Sequence, residues 1–546
     1  MDCNALIAQI LKREGVEWMA CFPSNPLIEA VAKEGIRPIA FRHERGAVMA
    51  ADGFSRTSDR ERFGIVAIQS QAGAENALGG LAQANADNVP ILVLPGGNNL
   101  DQIDVRPNYA ATRGYREVVK CVEAIYRPEQ VTAVMRRAFS ALRNGVPGPV
   151  VVELTGDVCA QASPEDAAAY TPPKLHRAAP SPSELKDAAR ALVDAKRPVL
   201  WAGAGVLFAR ATEELRELSE LLAAPVFCTM PGKSAFDERH PLSLGAGSGA
   251  TTGPAHEWLQ SCDVLGAFGS SLTRTPYGQP IRPEIRLIQN TNNPDELNKD
   301  ESVDIGLLGD TKLTLASLID EVKGLIGEVP RDASAVAAEI AAVRETWLAQ
   351  WTPLLTSDAR PLSTYRVIAA IDQTIDRENS IVTHDAGAPR DSIVPFFTAT
   401  TPHSYVGWGK TTHLGFGIPL MIGAKLAHPE KFCLNLMGDG AFGMSGTDIE
   451  TAARAGAPIT TVLLNNGGMA TYPGGFPTAR ERYGVSHMQG DYAQIAEGMG
   501  ATGIKVESPA EMESALRDAQ RLNKDGKTVL IDVASDMEGR RSRWDR

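Results

Sequence analysis

The residues in this chain best placed to do chemistry are Asp439 and Asn466, each at the end of a short apolar run. The run at 432–437 (FCLNLM) leads into Gly438-Asp439-Gly440, and a helical pattern follows. After a Gly-Ala-Pro break comes a second apolar run at 461–464, then Asn465-Asn466, with 24 residues between Gly440 and Asn465. This spacing predicts one strand–helix–strand unit. If its strands are adjacent and parallel, Asp439 and Asn466 meet at their carboxyl ends, where open α/β sheets bind ligands. A carboxylate and an amide oxygen are hard donors suited to Mg²⁺ or Ca²⁺. Glycines beside Asp439 allow backbone to approach a ligand closely. The start of the following helix offers free N–H groups and a positive dipole end to an anion. Metal and helix start together would hold a diphosphate. The bland alternative is a buried strand ending in a turn, which is what Gly-Asp-Gly by itself would mean.

Paired at this spacing, the two motifs resemble the signature of thiamine-diphosphate enzymes, and their flanks narrow the likeness to the acetolactate synthase, pyruvate oxidase and decarboxylase group. Other segments agree, in the expected order. Arg42-His43-Glu44-Arg45-Gly46-Ala47, followed by 50–56 (AADGFSR), is similar to the family's His-Glu segment and the helix after it. The stretches 69–76 (QSQAGAEN), 88–95 (NVPILVLP), 145–151 (GVPGPVV), 195–206 (AKRPVLWAGAGV) and 229–245 (TMPGKSAFDERHPLSLG) resemble further family blocks. The likeness covers nearly the whole chain.

The resemblance implies roles. Asp439, the side chain of Asn466 and the backbone carbonyl of Gly468 would ligate Mg²⁺, with Gly438, Gly440, Ala441 and Met469 around thiamine diphosphate. Glu44 would touch the cofactor's aminopyrimidine ring as the catalytic acid; the alternative is an exposed ion-pair partner of Arg42 or Arg45. The segment 408–417 (WGKTTHLGFG) puts Leu414 under the bend of the cofactor, unless Leu414 is simply core. His384-Asp385-Ala386-Gly387 resembles a strand end that borders the cleft. His43 and His413 flank these positions as proton relays or as structural histidines. Relatives build each site between chains, which implies a homodimer or homotetramer.

Departures bear on the substrate. The stretch 106–120 (RPNYAATRGYREVVK) lacks the Gln of standard acetolactate synthases, the family's Gly-Pro-Gly turn is Gln71-Ala72-Gly73, and the bend residue is Leu instead of Met. The segment 441–451 (AFGMSGTDIET) is closer to the oxalyl-CoA decarboxylase and 2-hydroxyacyl-CoA lyase branch. The activity implied is therefore carbon–carbon lyase or carboligase chemistry on a 2-oxo acid or aldehyde, with an acyl-CoA substrate as the alternative and a non-catalytic homologue as a remote one. FAD is not expected in the usual way, because the acids of the relatives' Ile-Asp-Ile-Asp-Pro are absent from 288–294 (IQNTNNP).

These residues need elements to hold them. Apolar runs at 64–69, 90–95, 149–154, 198–202, 285–289, 380–383, 432–437, 461–464 and 528–533 alternate with helical patterns. Strands without in/out alternation, separated by helices, predict parallel sheets covered on both faces. The expected fold class is α/β, with three doubly wound parallel-sheet domains: pyrimidine-binding at 1–160, central at 185–330 and diphosphate-binding at 360–546. A Pro/Ala/Ser-rich linker is expected at 161–184, a helix at 333–350 and a connection at 352–362.

The 546 residues suit about three domains. A formal charge of -12 argues against nucleic acid as a partner. The first 18 residues read as a charged amphipathic helix without signal-peptide features, and no run of about 18 apolar residues predicts a membrane span. Seven scattered cysteines without a C-x-x-C pair suit a reducing, cytoplasmic setting. The basic tail at 539–546 is expected to be a frayed, solvated end or a contact for an anionic substrate.

Overall fold

The computed structural model describes residues 1–469 and 475–544; positions 470–474, next to the Asn-Asn motif, and the tail positions 545 and 546 lie outside them. Three six-stranded sheets follow one another along the chain, and every named strand pair in them is parallel. The first contains β1 (Trp18–Cys21), β2 (Arg37–Ala40), β3 (Gly64–Ile68), β4 (Ile91–Gly97), β5 (Cys121–Ile125) and β6 (Val150–Thr155), in the order β2-β1-β3-β4-β6-β5. The second contains β7 (Pro198–Ala202), β8 (Val226–Thr229), β9 (Ser243–Gly247), β10 (Val264–Phe268), β11 (Arg286–Thr291) and β12 (Ile305–Leu308), in the order β12-β11-β10-β7-β8-β9. The third contains β13 (Ser380–His384), β14 (Tyr405–Val406), β15 (Phe432–Gly438), β16 (Thr460–Asn465), β17 (Thr502–Val506) and β18 (Val529–Ala534), in the order β14-β13-β15-β16-β18-β17. Central strands such as β3 and β7 are buried along their whole length, as helices on both faces require. The α/β class with three parallel sheets is thus borne out.

One connection differs from expectation. The helix Ser334–Leu355 runs through Pro353 into the stretch read as a linker. Trp347 and Trp351 are buried there and pack on Phe396, and Trp351 also packs on Tyr365. Aromatic burial at the helix end outweighs the proline, which forfeits one backbone hydrogen bond and has little helix left to disrupt.

The first and third sheet units meet through two helices, Glu44–Thr57 and Gly417–Ala427. Both are buried almost all round, the second because its sequence is apolar on every face. Glycines let them touch backbone to backbone. A Cβ built on Gly423 would stand 1.9 Å from the carbonyl oxygen of Ala50, and one on Gly53 would stand 2.1 Å from that of Leu420. At a relaxed helical site Gly→Ala gains up to about 1 kcal/mol from propensity. Here the sign should reverse: Gly423→Ala is expected to destabilise by about 1–3 kcal/mol through overpacking. Denaturant unfolding checks this, and a stabilised variant would mean that the helices are free to separate.

Candidate active site

β15 and β16 are adjacent, with Gly438 paired to Leu464. Asp439 and Asn466 therefore leave neighbouring strand ends side by side. The helix Asp439–Ser445 starts at once, with Gly438 as its extended cap. Asp439 is 3% exposed; its Oδ1 accepts from Gly440 N at 2.7 Å and its Oδ2 from Gly467 N at 2.9 Å. Asn466 Oδ1 accepts from Gly468 N at 3.0 Å, with Gly467 between them at a φ of 67° that suits glycine. Met469 leans over Gly440, where a Cβ would stand 2.9 Å from Met469 Cγ. Burial pushes the Asp439 carboxyl above its ordinary range, and no Lys or Arg among the described residues pairs with it. A hard divalent cation fits this donor set: one carboxylate lacking a counter-charge, one amide oxygen, and a tight backbone turn that presents a carbonyl. Among the described residues no group of three or more His, Cys, Asp or Glu forms a competing site.

Glu44 lies across the seam between the two units. It opens the helix Glu44–Thr57, is 3% exposed, and accepts at Oε2 from Asn76 Nδ2 at 3.1 Å. It pairs with neither nearby arginine. Arg42 pairs with Glu450 at 3.7 Å, and Arg45 Nη2 donates to Met444 O at 2.8 Å. That last bond joins the turn carrying Glu44 to the helix that begins at Asp439, within one chain. Asp448 adds a second clasp, accepting Arg42 N at 3.2 Å. His43 caps its helix by accepting Arg45 N through Nδ1 at 3.1 Å. His413 packs near Gly79 and Arg45, and burial, then the Arg45 charge, lowers its pKa.

Leu414 is partly buried against the core shared by the two helices. The loop carrying it is held from both sides. From the first unit, Asp87 accepts Gly409 N at 3.2 Å and Lys410 N at 3.4 Å, and Gln83 Oε1 accepts Thr411 Oγ1 at 2.9 Å. Arg56 ties Asp87 to Asp52 at 3.2 and 2.8 Å. From the third unit, Asp385, at the end of β13, accepts Gly415 N through Oδ1 and Gly417 N through Oδ2, each at 3.0 Å. The sequence reading placed Asp385 beside the cleft but missed this anchoring role, and it missed Asp87, Gln83 and Asn76. The signal for Asp385 was present, since an acid ending a buried strand needs partners. The others have none, because Asp87 and Gln83 meet loop partners more than three hundred residues away and Asn76 meets Glu44 from another helix, 32 residues away.

The tail is a correction. Ser542 is 2% exposed, its Oγ donates to Thr251 O at 2.6 Å and accepts from Trp347 Nε1 at 3.0 Å, and Trp544 stacks on His256 with ring centroids 4.2 Å apart. Aromatic stacking and two buried hydrogen bonds hold what charge alone read as frayed. In the middle unit, a cavity of about 980 Å³ opens between the units, with Arg60, Phe208, Tyr277 and Lys410 among its walls. Near it, at the end of β11, Asn290 is saturated: it donates to Leu307 O, Gly309 O and Thr314 Oγ1 and accepts Gly269 N. β11 itself carries no acid, and Glu296, five residues after Thr291, accepts from Thr291 Oγ1 and lines the cavity.

Models of thiamine pyrophosphate enzymes match the chain three times: the N-terminal TPP binding domain at 1–119, the central domain at 185–318 and the C-terminal TPP binding domain at 385–533. The chain belongs to the thiamine pyrophosphate enzyme family. Similar curated proteins include the probable acetolactate synthase large subunit of Methanococcus aeolicus, 30% identical over 98% of this chain and 92% of that protein. The probable acetolactate synthase large subunit of Methanocaldococcus jannaschii is 29% identical over 97% and 91%. Acetolactate synthase isozyme 3 large subunit of Escherichia coli is 27% identical over 97% and 94%. The chain is therefore a thiamine-diphosphate-dependent enzyme of acetolactate synthase-like type. No helix among the described residues is long and apolar enough to cross a membrane.

Burial pushes the Asp385 carboxyl up to about 6, against the backbone N–H groups that hold it down. Its folded pKa exceeds the unfolded 3.8. Its contribution to stability is then full below 3.8 and is lost as pH rises through about 6. The loop responds in the opposite sense, since a proton on either oxygen displaces a backbone N–H. Cofactor affinity should fall as pH drops through about 6. Carbon NMR of labelled aspartates, assigned with Asp385→Asn, checks the titration. Asp448, also pushed up to about 6, is removed as a confounder by Asp448→Asn.

Proposed function

We propose that the enzyme makes or breaks a carbon–carbon bond beside a carbonyl, with a small 2-oxo acid as acyl donor, in the manner of the acetolactate synthases it resembles. The observation that carries this reading is the convergence of the Glu44 turn, the Leu414 loop and the helix starting at Asp439 across one seam. Asp439, Asn466 and the Gly468 carbonyl hold Mg²⁺ in this reading, and Gly438, Gly440, Ala441 and Met469 flank the diphosphate. Leu414 supports the bend of the cofactor from a loop fixed on both sides. Thiamine diphosphate, once bound, supplies a carbon nucleophile and an electron sink. Glu44 presents its buried carboxyl to the aminopyrimidine end as the acid that exchanges a proton there. Such a group contributes about 10²–10⁴-fold to rate.

Relatives of this type place the site between chains. In this structure the Glu44 and Asp439 segments already meet within one chain, and Leu78 and Met444 nearby remain exposed. We propose a homodimer or tetramer that covers those two side chains; sedimentation showing an active monomer would overturn it.

Three measurements test the function. Calorimetry should show thiamine diphosphate binding only with a divalent ion, and Asp439→Ala should abolish it. Glu44→Gln should leave binding nearly intact while slowing cofactor C2 hydrogen–deuterium exchange by about 10²–10⁴-fold. A screen of 2-oxo acids, with and without CoA thioesters, should show turnover independent of CoA. Turnover requiring a CoA thioester would replace this reading with an acyl-CoA lyase.

A further inference from the structure

The two oxygens of Glu44 have different surroundings. Oε2 accepts from Asn76 Nδ2 at 3.1 Å. Oε1 faces Gly73, where a Cβ would stand 3.1 Å from Oε1 and 2.6 Å from Gln69 Cβ. Glycine at 73 therefore lets Oε1 lie against the helix backbone, while Oε2 is held by an amide. No Lys or Arg among the described residues pairs with this buried carboxyl; His43 Nδ1 stands 3.9 Å from Oε2 and already accepts Arg45 N. Gly73 and Asn76 belong to the first turns of the helix Ala72–Ala86, so both contacts come from one rigid element.

An amide N–H can only donate, so the oxygen it meets is the one without a proton. We propose that Asn76 is a positioning residue for Glu44: it fixes Oε2 as acceptor, so that the exchangeable proton is carried at Oε1, the oxygen that faces Gly73. This rests on the reading of Glu44 as the acid. The terminal torsion of a glutamate is soft, and burial alone does not choose between its oxygens. Without Asn76 the carboxyl can turn and carry its proton on either oxygen. A hydrogen bond to the ionised form favours that form, and a neighbouring like charge disfavours it. Removing the donor should therefore make Glu44 harder to ionise, and placing a second carboxylate there should do so further.

The test uses the holoenzyme and the variants Asn76→Ala and Asn76→Asp. Asn76 is exposed, so its replacement leaves the fold intact, and a merely structural role would leave the readouts below unmoved in Asn76→Ala. C2 hydrogen–deuterium exchange is followed by NMR against pH. Proton uptake on binding thiamine diphosphate with Mg²⁺ is measured by calorimetry in two buffers of different ionisation enthalpy. The exchange rate at its optimum should fall on the order of 10–10²-fold, as for a misplaced catalytic group. The Glu44 limb of the profile and of proton uptake should move to higher pH, further in Asn76→Asp than in Asn76→Ala. Unmoved limbs in both variants, with Glu44→Gln still slow to exchange, would overturn the role of Asn76 alone. Unchanged exchange in Glu44→Gln would overturn the reading of Glu44, and this proposal with it.

Discussion

The close crossing of the helices Glu44–Thr57 and Gly417–Ala427 is the constraint on which the site depends. Gly53 and Gly423 bring the two backbones into contact, and this separation sets how far the Glu44 turn lies from the Leu414 loop and the helix at Asp439. Neither helix could be exposed alone, since each is buried on nearly every face. The seam is thus part of the core, continuous with the packing of both sheets. Interiors packed at this density transmit small shifts instead of absorbing them. A displacement at the crossing would be felt at Glu44 and at Asp439 together.

Polar groups along the seam convert this packing into orientation. Arg45 bonds Met444 O, Arg42 N bonds Asp448, and Asp87 with Gln83 receives the loop at 409–411. Each joins residues more than three hundred positions apart in the chain. Buried hydrogen bonds of this kind add little net stability individually, but breaking one leaves a desolvated group behind. They therefore specify one docking of the two units over its near neighbours. The loop with Leu414 has no sheet or helix of its own to order it, and it takes its shape from acids on both sides.

Much of this was legible in the sequence, for reasons that also mark the limit. All nine apolar runs read as strands are strands, because central parallel strands are uninterrupted Val, Ile and Leu. Of the strands passed over, β2, β5, β9, β12, β14 and β17 are sheet edges, and β1, β8 and β10 are interior strands of only four or five residues. The juxtaposition of Asp439 and Asn466 was readable because local chain order dictates a strand–helix–strand unit. The position of Glu44 rested on resemblance, since its charged neighbours alone suggested a surface ion pair, whereas it is buried. Asn76, Asp87 and Gln83 were illegible. Their meaning lies in partners that only the tertiary fold brings near. The C-terminal tail failed for a related reason: its arginines spoke for solvent, while Ser542 and Trp544 are held by Thr251, Trp347 and His256.

The aspartates of the seam and the third sheet show how one residue type acquires different tasks. Asp52 and Asp87 share the buried guanidinium of Arg56, which offsets part of their charge within the protein. Asp385, at the end of β13, is sealed on all sides and satisfied by three backbone N–H groups, from Ala386, Gly415 and Gly417. Its surroundings suit an acceptor that fixes a loop and leave no room for a ligand. Asp439 also ends a strand of this sheet, has only backbone N–H donors and is held above its ordinary pKa range by burial. Its neighbours differ, for Gly438, Gly440, Asn466 and Gly467 are only partly buried and glycine keeps their side of the carboxylate free. A buried negative charge beside accessible space, with an amide oxygen next to it, is a donor set that suits a small divalent cation. The sheet supplies both carboxylates in the same way, and the glycines beside Asp439 leave it the access that Asp385 lacks.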